Sequence, residues 1–163
     1  MIVISDTTPI ITLIKINCID LLEKLFGEVF IPEAVFRELT TNTAFADEAE
    51  IVKASSFLKV KTVQNQQSLS ILQAVSGLDD GESEAIILAG ELGSDALIID
   101  ERKGRKVAQK LGITITGTIG ILIQAHNENM ISTENAKLYL EQLKNSNIRL
   151  SEALIQEALS MLL

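Results

Sequence analysis

The chain has 163 residues, 47% of them hydrophobic and 22% charged, with a formal net charge of −8. That length points to one domain with a real core, and that composition excludes a disordered chain. The acid surplus argues against broad nonspecific binding to nucleic acid, although metal ions or a local basic patch can offset it where a substrate sits.

Residues 2–5 read as a short, buried, β-branched strand. Thr7 to Leu25 read as helix, with a break expected near Asn17 and Cys18. Glu28 to Ile31 read as a second strand, and Pro32 suits the first turn of a helix running to Thr40. Ala44 to Ser55 continue as helix. Leu58 to Val63 read as a third strand, with Leu58, Val60 and Thr62 alternating against Lys59 and Lys61. Ile71 to Val75 read as helix and Gly77 to Gly81 as a turn. A helix over Glu82–Leu92, a strand over Ala96–Ile99, a helix over Glu101–Leu111 and a strand over Ile113–Thr116 follow. Closing helices occupy 131–163; the last carries an apolar stripe of Leu154, Ile155, Ala158, Leu159 and Leu162, with Ser151 as its N-cap. No repeat or linker interrupts this alternation. It predicts an α/β class, three-layer α/β/α, with a mostly parallel central sheet.

Four acids stand out against that frame. Asp6 and Asp100 lie just past the carboxyl ends of buried strands, where open parallel sheets form their sites. Glu38 lies in the segment Ile31–Leu39, and Glu82 opens the run Glu82–Ala89. Gathered carboxylates repel one another unless a divalent cation sits between them, so the placement suggests a Mg²⁺ or Mn²⁺ site. Each acid also has a plainer explanation. Asp6 and Asp100 precede helices and could be N-caps. Asp79 and Glu82 fit a capping box. Glu38 could be a solvated helix residue. The helical period places Glu82 with Ala85, Ile86 and Ala89 on one face, which should pack on the sheet and aim Glu82 at the strand ends. Glu84 lies about 200° round the helix, which makes it the reserve metal candidate.

The segments Ser5-Asp6-Thr7-Thr8-Pro9, Ile31–Leu39, Gly81–Ile86 and Ile98–Arg105 resemble those of PIN domains. The nearest match is the DUF3368 group, a PIN-like branch related to VapC-type toxins of toxin–antitoxin pairs. Thr116-Gly117-Thr118-Ile119-Gly120-Ile121-Leu122 also fits that branch, and the resemblance spans about Ile2 to Ile131. It implies a metal-dependent endoribonuclease fold, with Asp6, Glu38, Glu82 and Asp100 as an acidic quartet and Thr7 and Thr8 supporting the first acid. Two positions depart from the VapC-type pattern: Glu82 stands where Asp is usual, and Thr8 where Asn is common. The resemblance also implies an antitoxin protein as partner and a homodimer.

The chemistry is consistent with that. Phosphodiester hydrolysis needs an activated water and a stabilised leaving oxygen, and Mg²⁺ held by carboxylates supplies both without a catalytic His or Cys. His126 is the only histidine and reads as a packed or surface residue; Cys18 is the only cysteine and reads as a small hydrophobe. With one cysteine no internal disulfide can form, and the reducing cytoplasm is the expected compartment. The apolar runs are shorter than the ~20 residues that span a bilayer, and the early Asp6 and missing basic start argue against a signal peptide. Arg102, Lys103, Arg105, Lys106 and Lys110 form the basic cluster. It is either a solvated helix face or, at Arg102 and Arg105, a contact to RNA phosphate. A haloacid-dehalogenase phosphatase would want an Asp at the position of Thr8. A phospho-receiver would want an Asp near Val63 and a Lys near Thr116. The remaining alternative is a catalytically weak PIN-like module that acts by binding a protein.

Overall fold

Val3, Ile4 and Ser5 are all fully buried and form strand β1 (Val3–Ser5). A strand whose two faces are both covered has no solvent side, which is why Val3 and Ile4 are both apolar and the buried Ser5 hydroxyl is satisfied by donating to Asp6 O at 2.9 Å. The computed structural model describes residues 1–145 and 150–162. In it β1 is central to a five-stranded sheet of order β3-β2-β1-β4-β5, with β2 at Val29–Pro32, β3 at Leu58–Lys61, β4 at Ala96–Ile98 and β5 at Ile115–Thr116. Every pairing is parallel. Val3, Ile4 and Ser5 register with Ala96, Leu97 and Ile98, and Ile4 also faces Phe30.

Helices cover both faces. Val3 and Ile98 face a core shared with α1 (Thr7–Lys15), α2 (Asp20–Phe26), α8 (Thr118–Asn127), α9 (Thr133–Lys144) and α10 (Glu152–Met161). Ile4, Leu97 and Ile99 face the opposite core, shared with α5 (Gln66–Ser76), α6 (Asp80–Leu92) and α7 (Arg102–Lys110). The residue alternation of β1 and β4 thus separates two cores, giving the three-layer arrangement. A smaller cluster of Ile10, Ile14, Ile31, Val35, Leu39 and Val52 joins α1 to α3 (Glu33–Thr41) and α4 (Ala46–Ala54). Gly104 lets α7 lie flush on the sheet, because a Cβ there would come within 2.6 Å of Ile99 Cδ1.

The first long helix divides where expected: Asn17 adopts a left-handed φ of 58° between α1 and α2. Elsewhere the elements differ from expectation for identifiable reasons. Pro32 ends β2 and is the N-cap of α3, so the helix starts at Glu33. A short 3₁₀ turn over Thr43–Phe45 precedes α4. β3 is an edge strand and does not alternate; Val60 is 42% exposed, and its flanking lysines shield the edge from pairing. α5 begins at Gln66 because Asn65 caps it, accepting the Ser68 amide. α6 begins at Asp80 because Asp79 caps it. Ile155 and Ala158 of α10 and Leu162 at its C-cap are buried but Leu154 is 51% exposed, and Ser151 makes no side-chain cap bond. The expected closing helices over 131–163 include residues 146–149 and 163, which lie outside the described residues.

Candidate active site

The strand order reverses between β1 and β4: the chain runs outward from β1 to β2 and β3, then returns to the other side for β4 and β5. A crevice opens at the carboxyl ends of the strands at such a switch point. Asp6 stands on one side of it, its amide donating to Ile98 O at 3.0 Å, and Asp100 lies two residues beyond Ile98.

Asp6 is only 4% exposed. Although it occupies the N-cap position of α1, its side chain makes no cap bond across the turn. It faces instead the first turn of α6. A Cβ on Gly81 would lie 3.4 Å from Asp6 Oδ1, 3.5 Å from Glu38 Oε2 and 3.5 Å from Thr7 Oγ1. Oxygens from β1's end, α1 and α3 therefore converge on one point, and a glycine leaves that point open. The Thr7 hydroxyl donates to Glu38 Oε2 at 2.8 Å while the Thr7 amide bonds Asp6, so Thr7 serves both acids. Burial pushes the Asp6 carboxyl up to about 7; the Thr7 amide opposes this, while Glu82, Asp79 and Glu38 add repulsion.

Asp100 occupies a separate seat. The cap of α7 is Glu101, not Asp100, which leaves the Asp100 carboxylate free for other partners. The Thr118 amide donates to Asp100 Oδ1 at 2.8 Å and the Thr118 hydroxyl to Oδ2 at 2.6 Å. Burial raises the Asp100 carboxyl, and Thr118 and the charge of Arg105 pull it back. Arg105 itself is pinned, its Nη1 donating to Ile99 O at 2.7 Å.

Glu82 closes a capping box: its amide donates to Asp79 Oδ1 at 2.8 Å, and its Oε2 accepts the Asp79 amide at 3.3 Å. Its carboxyl is raised by burial and then by the charge of Asp79. Glu84 points elsewhere, accepting the Ala34 amide at 3.4 Å at the start of α3. Thr8 is exposed and lines the cleft described next. Asp6 and Glu38 thus face one point, Glu82 stands close enough to repel Asp6 while closing its own helix cap, and Asp100 is held by Thr118. Among the described residues no three acidic, histidine or cysteine side chains are already gathered as ligands of one ion. The donor chemistry nonetheless fits a hard cation: oxygen donors alone, a buried Asp repelled by its neighbours, and no ion pair to any of the four acids within 4.0 Å among the described residues.

Of the four acids, Glu38 and Asp100 line a cleft of about 1200 Å³ between α1, α7 and α10, together with Thr7. Arg102, Arg105 and Lys106 line one wall, and Leu154, Ala158 and Met161 of α10 line another. Lys103 lies on a different face of α7, with its Nζ near Gly77 and its charge acting on Glu82. Three site residues went unassigned in the sequence: Gly81, Gly117 and Thr118. Thr118 had a usable signal, because a hydroxyl just after β5 stands beside the end of β4 in a parallel sheet. His126 is remote from the cleft's acidic end, its Nε2 within 2.8 Å of Thr133 Oγ1 between α8 and α9. Cys18 is buried, and burial pushes its thiol up to about 11.

A five-stranded parallel sheet between helical layers, with acids over the ends of β1 and β4, defines a PIN-like α/β/α protein. The DUF3368 family, described as a PIN domain, matches residues 2–162, and the chain belongs to it. That match extends well past Ile131 and takes in the closing helices. PIN domains are generally metal-dependent nucleases. A search of curated proteins found no match. No helix among the described residues is long and apolar enough to cross a membrane.

Proposed function

We propose that this chain is a metal-dependent endoribonuclease that hydrolyses RNA phosphodiester bonds. The observation that carries the reading is the convergence of Asp6, Glu38 and Thr7 oxygens on the open point at Gly81, next to a cleft with a cationic wall. Asp6, Glu38, Glu82 and Asp100 are the residues that would hold Mg²⁺ or Mn²⁺, with Asp6 and Glu38 already facing the same point. A bound cation supplies an activated water and stabilises the charge that builds up on phosphate. The remaining work belongs to the chain. Thr7 keeps Glu38 turned toward Asp6. Arg102 and Lys106, both exposed on the cleft wall, hold backbone phosphates; Arg105 does so with the donors not spent on Ile99 O.

The chain is the toxin half of a type II toxin–antitoxin pair and works in the cytoplasm. Its partners are RNA, a cognate antitoxin protein and a second copy of itself. The motif resemblance to VapC-type proteins supports the pairing, the lone cysteine supports the compartment, and exposed Leu138, Leu154 and Met161 on the closing helices support a homodimer. The test is cleavage of a labelled RNA with Mg²⁺, with Mn²⁺ and with EDTA, beside Asp6→Asn. Cleavage that survives EDTA, or equal cleavage by Asp6→Asn, refutes it. One observation favours the alternative of a catalytically weak, protein-binding module: Glu82 is turned back onto its own helix cap. Binding of a partner protein without metal-dependent cleavage would establish that alternative.

A further inference from the structure

We propose that Gly117 and Thr118 form a seat that fixes the Asp100 carboxylate for cation binding, with Thr118 a positioning residue. The proposal rests on the nuclease reading above.

Three observations carry it. Both oxygens of Asp100 are bound by one residue, through the Thr118 amide at 2.8 Å and the Thr118 hydroxyl at 2.6 Å. Two bonds to two oxygens of one carboxylate determine the plane of the group, where a single bond would leave it free to rotate. Thr118 is 0% exposed, so water cannot replace its hydroxyl. Gly117 supplies the room. Its backbone is extended, with φ −134° and ψ −176°, so its conformation is open to any residue and space alone demands glycine. A Cβ there would come within 2.6 Å of Asp100 Oδ1 and 3.1 Å of Arg105 Nη1.

The physical role follows from lone pairs. Each carboxylate oxygen accepts from two directions. Thr118 takes one direction at each oxygen and leaves the others for a cation. Partners that orient a ligand in this way set metal affinity, and their loss costs about 10- to 100-fold in affinity or activity. Thr118 does not itself line the cleft, so it acts on RNA only through Asp100.

The experiment measures Mn²⁺ affinity by electron paramagnetic resonance, together with kcat and KM on RNA. Thr118→Val removes the hydroxyl at nearly constant volume and Thr118→Ser keeps it. Thr118→Val is expected to weaken Mn²⁺ binding and lower kcat by about 10-fold or more with KM for RNA held, and Thr118→Ser to restore most of both. In an Asp100→Asn background, Thr118→Val should add no further loss of Mn²⁺ affinity. Should Thr118→Val not fold by circular dichroism, Gly117→Ala, which displaces Asp100 while keeping the hydroxyl, is expected to give the same Mn²⁺ loss. Wild-type Mn²⁺ affinity in a folded Thr118→Val chain, an equal added loss in the Asp100→Asn background, or wild-type affinity in Gly117→Ala overturns the seat alone. A wild-type chain that binds no Mn²⁺ overturns the nuclease reading and the seat with it.

Discussion

Asp6→Asn should stabilise the metal-free chain, and the gain should grow with pH. In the folded state the Asp6 carboxyl titrates near 7 instead of 3.8, because burial and then neighbouring acids oppose its charge. A group with a raised folded pKa contributes fully to stability below its unfolded pKa, and that contribution is lost as pH rises through the folded one. The window here runs from about 4 to about 7. The full difference is about 3 pKa units, or about 4 kcal/mol at 1.36 kcal/mol per unit. Asparagine has nearly the same shape and carries no charge at any pH. Near pH 4 the variant and the wild type should therefore unfold at similar denaturant concentrations. At pH 8 in EDTA the variant should be more stable, with about 4 kcal/mol as the ceiling. For a chain of this size each kcal/mol is worth roughly 2–4 °C, so a rise of several degrees is readily measured by thermal melting. Added Mn²⁺ should reverse the order, stabilising the wild type through linkage and leaving the variant unmoved. A variant less stable than wild type at pH 8 without metal would refute the argument, because Asp6 would then be supporting the fold as an ionised cap.

Gly81→Ala places a methyl group at ordinary contact distance, 3.4–3.5 Å, from the Asp6, Glu38 and Thr7 oxygens. Folding stability should hold or rise by up to about 1 kcal/mol, since Ala is the better helix former, while metal-dependent thermal stabilisation and cleavage fall; undiminished cleavage would move the site elsewhere. Arg102→Ala should lower the slope of log RNA affinity against log salt by about 0.7, the value for one phosphate contact on a single strand. Lys103→Ala, on a face of α7 away from the cleft, should leave that slope unchanged; an equal effect in both would show that the helix is only a general basic surface. Arg105→Ala should also lose stability, because Ile99 O loses its donor; urea unfolding separates that loss from RNA binding. Asp79→Ala breaks the capping box of α6 and should cost about 1 kcal/mol, read by denaturant unfolding.

How much of this was written in the sequence depends on the range of the interaction involved. Period-two and 3.6-residue patterns are local, so the alternation of strands and helices, the break at Asn17 and the cap at Asp79 were all legible. So was the crevice: Asp6 and Asp100 follow buried strands, and in a parallel sheet all such ends point the same way. Local pattern was silent or misleading where a neighbour decided the outcome. Val60 alternates correctly for a strand, yet it is 42% exposed, because a side chain is buried only where another element covers its face of the sheet. Glu82 does both things the local pattern offered: it closes the capping box with Asp79 and stands near enough to the end of β1 to repel Asp6. Thr7 orients Glu38 across 31 residues of sequence, and Thr118 holds Asp100 across 18. Neither pairing has a periodic signature. The sequence by itself determined the class of fold and which acids stand near the crevice. Only the tertiary structure decided which of them face one another, because side-chain direction at a strand end is set by the partners the other elements bring there.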